Sequence, residues 1–411
     1  ELLRSLRKQG CRFVLGEDYL SRLDQDVIFR TPGLHPRFLE DARRRGSEIT
    51  SEMEAFFQVC PCPILAVTGS DGKTTTTTII SELLRAAGRM VHVGGNIGHP
   101  LLSEAGSMRP EDWAVLELSS FQLMTMERSP HIAVTTNLAP NHLDVHRDFA
   151  EYITAKENIF THQSAQDIAV FNADNELTLA ASERAPGQVR LFSRRHPVER
   201  GTYLWSDGQN GEAIYVSNDQ GRRMVLPLSG IKLPGLHNVE NYMAAIAAVD
   251  GLVDDETIRA FARDFGGVEH RIELVRTLRG VRWYNDAIAS SPSRTTACLN
   301  AFHSKVILLA GGKDKGISYD SLGPVINDHV KALILCGATA GVIREAVTQA
   351  ENYAGLPITE VSDWAAAVHT AAELAQEGDV VVMSPASTSF DLFRNFMEKG
   401  RVFKELVNAL E

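Results

Sequence analysis

Short apolar runs recur along the chain, and polar residues fill the longer stretches between them. The clearest runs are Ile64-Leu65-Ala66-Val67, Met90-Val91-His92-Val93, Trp113 to Leu118, Ile132 to Thr136 and Ile168 to Phe171. Helical stretches are expected between them, at Thr75 to Ala87 and Ala150 to Phe160. This alternation predicts an α/β fold with a parallel sheet wrapped by helices. From residue 188 to 233 the pattern changes to short pieces, Tyr203-Leu204-Trp205, Ala213 to Val216 and Met224 to Leu228. These predict a small antiparallel annex, closed by a helix from Asn238 to Val253.

Two further segments flank this centre. Before it come a basic helix-like stretch, a strand at Cys11 to Leu15, and a strand at Asp26 to Phe29 that runs into the turn Thr31-Pro32-Gly33. A helix closing at Met53 to Phe57 and the linker Cys60-Pro61-Cys62-Pro63 lead into Ile64. After it, Gly266-Gly267-Val268 reads as a hinge and Glu273 to Tyr284 as a hairpin. Runs at Val306 to Ala310, Ala332 to Cys336 and Val380 to Met383 predict a second doubly wound sheet. Its last strand runs into Ser384-Pro385-Ala386-Ser387 before a helix, and ligands of such sheets favour the carboxyl ends of the strands.

At 411 residues the chain is long enough for two or three domains. A formal net charge of −11 argues against nucleic acid or an anionic membrane as the main partner. An anionic substrate must therefore meet local cations. The five cysteines are scattered and odd in number, which fits reduced thiols in a cytoplasmic protein. No apolar run approaches membrane-spanning length.

The chemistry centres on Thr68-Gly69-Ser70-Asp71-Gly72-Lys73-Thr74, between an apolar strand and a helix. Glycines let backbone N–H groups turn toward phosphates, and the helix N-terminus adds its positive end. Lys73 supplies a point charge and the Thr74 hydroxyl can ligate Mg²⁺. Gly69, Ser70, Asp71, Gly72, Lys73, Thr74 and Thr75 are therefore the expected triphosphate contacts. Val67 stands where the standard phosphate loop has glycine, so an ordinary glycine turn is the competing reading.

Four other places read two ways. Glu117 is a carboxylate in an apolar strand, which suits a Mg²⁺ ligand or a structural ion pair. His142, in Asn141-His142-Leu143-Asp144, is a metal ligand or a plain loop histidine. Spacing alone makes Lys156 a solvated lysine. Asn238 and Asn241 share a helix face and could grip an adenine edge, although N-capping explains Asn238 equally well.

Taken in order, several segments resemble the Mur ligases, the ATP-dependent amide ligases of peptidoglycan precursor synthesis. They are Thr68 to Thr74, Glu117 to Leu123, Asn141 to Asp144, Gly235 to Asn241, His270-Arg271 and Tyr284-Asn285-Asp286. Gly94-Gly95-Asn96-Ile97-Gly98, Ala310 to Lys315 and Ser384 to Phe396 are most similar to the branch that adds D-glutamate. The resemblance implies three domains. Residues 1–58 would be a truncated Rossmann-like domain for the uridine nucleotide, and 59–267 a central P-loop ATPase domain. Residues 268–411 would be a Rossmann-like domain that binds D-glutamate and closes on ATP.

It also implies ligands and roles. The partners would be UDP-N-acetylmuramoyl-L-alanine, D-glutamate and ATP, acting on a monomer with two Mg²⁺ ions. Lys73, Glu117, His142 and Lys156 would be catalytic, and Thr74, Glu117, His142 and Lys156 would hold metal. Lys156 matches a family lysine that is carbamylated, which overrides the solvated reading. Asn238 and Asn241 would contact adenine, while Arg271 and Asp286 would reach phosphate and ribose. Thr31, Pro32, Gly33, Asn96, Ser119 and His142 would face the nucleotide-sugar substrate. Ser290, Lys315, Ser389 and Phe396 would line the D-glutamate site. One departure stands out: many relatives read Ser-Lys-Ala-Thr-Asn after Asn-Asp, and here Ala287-Ile288-Ala289-Ser290-Ser291 puts Ile288 in place of the lysine. The competing readings are a sister amide ligase (another Mur ligase or folylpolyglutamate synthase) and an ATP-binding regulator that ligates nothing.

Overall fold

The computed structural model describes the chain except residues 1, 17–18, 22, 99, 141–145, 207, 209–210, 234, 303, 315–316 and 391. It divides into residues 1–265 and 266–411.

The first unit opens with α1 (Leu2–Lys8), β1 (Val27–Phe29), α2 (Glu40–Arg44), β2 (Glu48–Thr50) and α3 (Glu52–Val59). The strands β1 and β2 pair in parallel. Ser51 caps α3 by accepting from the Glu54 amide. The expected strand at Cys11 to Leu15 does not form. Among the described residues β1 pairs with β2 alone, and Val14 and Leu15 lie exposed, so that segment has neither a ladder nor a burial surface.

Beyond residue 60 come β3 (Ile64–Thr68), α4 (Lys73–Ala86), β4 (Val91–Gly95), β5 (Trp113–Glu117), α5 (Ser120–Leu123), β6 (Ile132–Thr135), α6 (Phe149–Thr161), β7 (Ile168–Asn172), α7 (Glu176–Ser182), β8 (Gln188–Ser193), β9 (Gly201–Ser206), β10 (Glu212–Asn218), β11 (Gly221–Pro227), α8 (Leu236–Val249) and α9 (Asp255–Asp264). Nine strands form one sheet in the order β11-β10-β9-β8-β7-β6-β3-β5-β4. The pairs from β4 across to β9 are parallel, and β9, β10 and β11 are antiparallel. The expected annex is therefore no separate piece: β8 joins it to the main sheet by pairing in parallel with β9.

The sheet is buried because β3, β5 and β6 are apolar on both faces. On one face Ile79, Ile80 and Leu83 of α4 meet Tyr242, Met243 and Ile246 of α8. On the other, Phe56 of α3 packs with Leu116, Ile159 and Phe171. α8 is apolar nearly all round and lies buried in the core, as such a helix must. It stops at Val249, short of the expected Val253, and α9 follows with Asp254 as its cap.

The second unit holds β12 (Glu273–Leu278), β13 (Val281–Asn285), α10 (Pro292–Asn300), β14 (Val306–Ala310), α11 (Leu322–His329), β15 (Val330–Cys336), α12 (Ala340–Thr348), β16 (Ile358–Val361), α13 (Trp364–Leu374), β17 (Val380–Met383) and α14 (Phe396–Asn408). Its sheet order is β12-β13-β17-β14-β15-β16, with β12 and β13 forming the expected hairpin and the rest parallel. Two cores cover the faces, one around Leu308, Leu333 and Ile343 and one around Trp283, Trp364 and Phe403.

Candidate active site

The glycine loop sits at the carboxyl end of β3. Gly69 and Gly72 have φ of 146° and 77°, where side chains are strained. A Cβ on Gly69 would lie 1.9 Å from Thr136 Oγ1, and one on Gly72 would lie 2.4 Å from Asn241 Oδ1. Both positions thus require glycine on two counts. Gly72 is the N-cap of α4 and offers no side-chain cap, so the first amides of this helix keep their capacity for an anion. The loop is held from β6: the Asp71 amide donates to Asn137 Oδ1 at 2.9 Å, and Thr136 Oγ1 donates to Asp71 O at 2.6 Å. Lys73 curls back over it, donating to Gly69 O at 2.8 Å and Ser70 O at 2.9 Å.

α8 reaches the same loop. Asn241 Oδ1 accepts from Thr76 Oγ1 at 3.2 Å, and Asn241 Nδ2 donates to Asn238 Oδ1 at 3.1 Å. Asn238 is not a cap, because α8 begins at Leu236 with Gly235 before it. The two asparagines are both buried and read each other directly.

Glu117 ends β5, one strand from the loop, in register with Val67. It is 2% exposed. Its Oε1 accepts from Asn96 Nδ2 at 2.7 Å, while Oε2 is buried with no partner among the described residues. A buried carboxyl oxygen left without a partner is costly, so this atom is fitted for a cation. Lys156 comes in from α6 and is 3% exposed. Its Nζ donates to Gly69 O at 2.8 Å and Thr68 Oγ1 at 3.2 Å. Burial pushes this amine well below its ordinary pKa, and the Lys73 charge pushes the same way, with Glu117 opposing. Lys156 is thus a core group, not the solvated lysine that spacing suggested.

Tyr152 was not marked out by the sequence. Its hydroxyl lies 2.9 Å from Ser70 Oγ, and its ring centroid is 4.9 Å from Lys156 Nζ. Thr136 and Asn137 were missed as well, although they follow the strand beside β3, where ligand-binding residues collect.

Around this centre, Ser119 caps α5 in a reciprocal pair with Gln122. The turn Thr31-Pro32-Gly33 is held by the buried Arg30. Its guanidinium donates to Pro32 O at 3.2 Å, Leu34 O at 2.7 Å and, across the unit, Phe121 O at 2.8 Å. The structure thus brings Lys73, Thr74, Glu117, Asn96, Lys156 and Asn241 to one end of one sheet. His142 and Lys315 lie outside the described residues.

In the second unit Asp286 follows β13. Its Oδ2 accepts from Ser384 Oγ at 2.8 Å and its Oδ1 from the Ile272 amide at 3.3 Å. Burial raises its carboxyl to about 6 against these bonds. Arg271 lies between His270 and Ile272, whose φ values are 65° and 46°. Ser290 follows the same strand end. Ser389 Oγ is buried with no partner among the described residues, and Phe396 opens α14 with its ring 6.1 Å from that of His270. Beside the unusual Ile288, Arg294 Nη1 donates to the Ile288 carbonyl at 3.1 Å, so a cation does stand next to that position. Glu269, His270 and Glu273 could form a metal cluster, but Lys404 Nζ donates to both carboxylates, at 2.5 and 3.0 Å, and takes the cation's place.

Known proteins resemble this chain in sequence and in fold. Residues 67–249 match the family profile described as Mur ligase middle domain, and residues 270–387 match the one described as Mur ligase, glutamate ligase domain. The chain is 49% identical over 417 residues to a UDP-N-acetylmuramoylalanine–D-glutamate ligase of Acetivibrio thermocellus, covering 100% of this chain and 88% of the relative. It is 50% identical over 418 residues to the enzyme of the same name from Ruminiclostridium cellulolyticum, covering 100% and 89%. Among solved structures it is similar to the UDP-N-acetylmuramate–alanine ligase MurC of Thermotoga maritima, with a TM-score of 0.58, 19% identity and coverage of 99% of this chain and 90% of that one. It is also similar to a murein peptide ligase of Psychrobacter arcticus, with a TM-score of 0.55, 17% identity and coverage of 100% and 92%. At such identities the solved structures speak for the fold alone.

Proposed function

The chain belongs to the Mur ligase family, and from that premise we propose that it joins D-glutamate to UDP-N-acetylmuramoyl-L-alanine at the expense of ATP, in peptidoglycan precursor synthesis. The observation that carries this reading is identity of 49% and 50%, over the whole chain, with two D-glutamate ligases.

A carboxylate is a poor acylating agent. Transfer of the γ-phosphoryl group to it gives an acyl phosphate and ADP. The amine of D-glutamate then attacks the carbonyl carbon, and phosphate leaves from the tetrahedral intermediate as the amine loses a proton. The first step brings two anions together, so the protein must supply positive charge and fixed geometry. Lys73 is the cation at the loop: its present bonds to Gly69 O and Ser70 O are ones a phosphate can replace. Asn241 buttresses the loop from behind.

The donor set fits a hard divalent ion, since it combines the partnerless Glu117 oxygen with the Thr74 hydroxyl. Thr74, Glu117, His142 and a carbamate on Lys156 are the groups that would hold Mg²⁺, which supplies charge neutralisation to the phosphate oxygens. We assign two ions to the site. The carbamate needs a neutral amine that bonds to the carbon of CO₂ and gives up a proton. A lysine stripped of water between Thr68 and Gly69 is suited to that. Asn96 and Ser119 are assigned to the muramoyl-alanine end and Thr31-Pro32-Gly33 to the uridine nucleotide. Ser290, Lys315, Ser389 and Phe396 are assigned to D-glutamate, and Asn238, Asn241, Arg271 and Asp286 to ATP. We assign a monomer working in the cytoplasm, with residues 1–58, 59–267 and 268–411 as its three domains.

The test is release of phosphate from ATP with UDP-N-acetylmuramoyl-L-alanine and a panel of amino acids. Turnover with D-glutamate alone supports the proposal. Turnover with another amino acid moves the chain to a sister ligase, and none at all makes it an ATP-binding regulator.

A further inference from the structure

His146 is a buried histidine that the mechanism does not use. It is 2% exposed, and its Nε2 lies 2.9 Å from Ser120 Oγ. On its other side Nδ1 is 3.8 Å from Glu151 Oε2. Its ring stacks on Phe121, with centroids 5.4 Å apart and planes 6° off parallel. Glu151 is itself a junction: Oε2 accepts from the Arg147 amide at 2.7 Å, and it lies 3.5 Å from His35 Nε2. These bonds to Arg147 and His35, against the cost of burial, hold the Glu151 carboxyl down to about 2, so it is ionised throughout the working range.

The connectivity is specific. Ser120 adjoins Ser119, and His35 adjoins the Thr31–Leu34 turn. Arg30 joins the same two segments directly, through Phe121 O at 2.8 Å. Two independent stitches therefore bind the turn to the start of α5. We propose that His146 is a positioning residue for the nucleotide-sugar substrate: with Glu151 it fixes the Ser119–Ser120 corner relative to the Thr31–Gly33 turn. This rests on the reading above, which assigns both segments to that substrate. The polar links of His146 do not reach the glycine loop, which is held by Thr136, Asn137 and Asn241. Its one route there is the edge-on contact with the Tyr152 ring, centroids 5.3 Å apart, and Tyr152 in turn bonds Ser70; a phenylalanine at 146 retains that ring contact.

The test is calorimetric binding of UDP-N-acetylmuramoyl-L-alanine and of Mg-ATP, each alone, to the full chain and its variants. His146→Phe keeps the ring contacts and loses the hydrogen bond to Ser120 and the longer contact with Glu151. Its Kd for the nucleotide-sugar should rise about tenfold, the effect of breaking one buried hydrogen bond, while its Kd for ATP moves less than about twofold. His146→Gln, whose amide can still reach Ser120, should recover most of the loss. Ser120→Ala removes one hydroxyl and should shift the same Kd in the same direction, which keeps the test open if His146→Phe does not fold. Unchanged nucleotide-sugar binding in both variants, or an equal weakening for ATP, overturns the proposal. Binding that behaves as expected in a chain that never turns over D-glutamate would instead count against the proposed reaction.

Discussion

Lys73 and Lys156 donate to one and the same oxygen: each Nζ lies 2.8 Å from the carbonyl of Gly69. Two ammonium groups on one acceptor repel each other. The conflict is relieved at Lys156, where burial and the Lys73 charge both favour the neutral amine. In the proposed mechanism the pair would divide the labour, with Lys73 supplying charge to phosphate and Lys156 the neutral amine that CO₂ would modify.

Lys73→Ala should therefore abolish turnover. It removes a fixed charge from the place where charge develops, an effect of at least about 100-fold in kcat. Near-normal phosphate release would remove the loop from the mechanism.

Lys156→Ala should be nearly inactive, and added bicarbonate should not restore it. The wild-type chain, equilibrated with ¹³C-labelled bicarbonate, should show a carbamate carbon resonance that the variant lacks. Equal rates for the two proteins, or no such resonance in the wild type, would leave Lys156 as a structural group.

Much of this was legible in the sequence for physical reasons. Strands buried on both faces, such as Ile64–Thr68, must be uninterrupted apolar runs, and they show as such. Glycines at forced φ, such as Gly69 and Gly72, betray the loop. What could not be read was tertiary: Tyr152, Thr136 and Asn137 are ordinary residues until β6 and α6 are placed beside β3. The burial of Lys156 depends on the same packing, and spacing alone gives the wrong answer. The strand expected at Cys11 to Leu15 failed for the converse reason. Local pattern supplied β propensity, but no described neighbour offers it a ladder.

Asp286 makes stability depend on pH. Its carboxyl is raised by burial from 3.8 to about 6. The folded state then holds the proton more tightly than the unfolded state. The associated stability is full below about pH 4 and is lost as pH rises through about 6, a loss of roughly 3 kcal/mol. Asp286→Asn removes the titration. In urea unfolding, the stability of the variant relative to wild type should therefore increase between pH 4 and pH 7. A difference that stays flat across that window would show that Asp286 titrates normally.

Glu117→Gln separates the charge of this side chain from its packing. The amide can still accept the Asn96 bond through its oxygen, so the strand end should keep its shape. The carboxyl oxygen that has no partner among the described residues is replaced by an amide nitrogen. Both are buried polar groups without a partner, so ligand-free stability should stay close to wild type. Turnover should fall by at least about 100-fold, with a higher Mg²⁺ concentration needed for half-maximal rate. A variant that melts well below wild type and keeps the same Mg²⁺ dependence would make Glu117 a structural partner of Asn96 and nothing more.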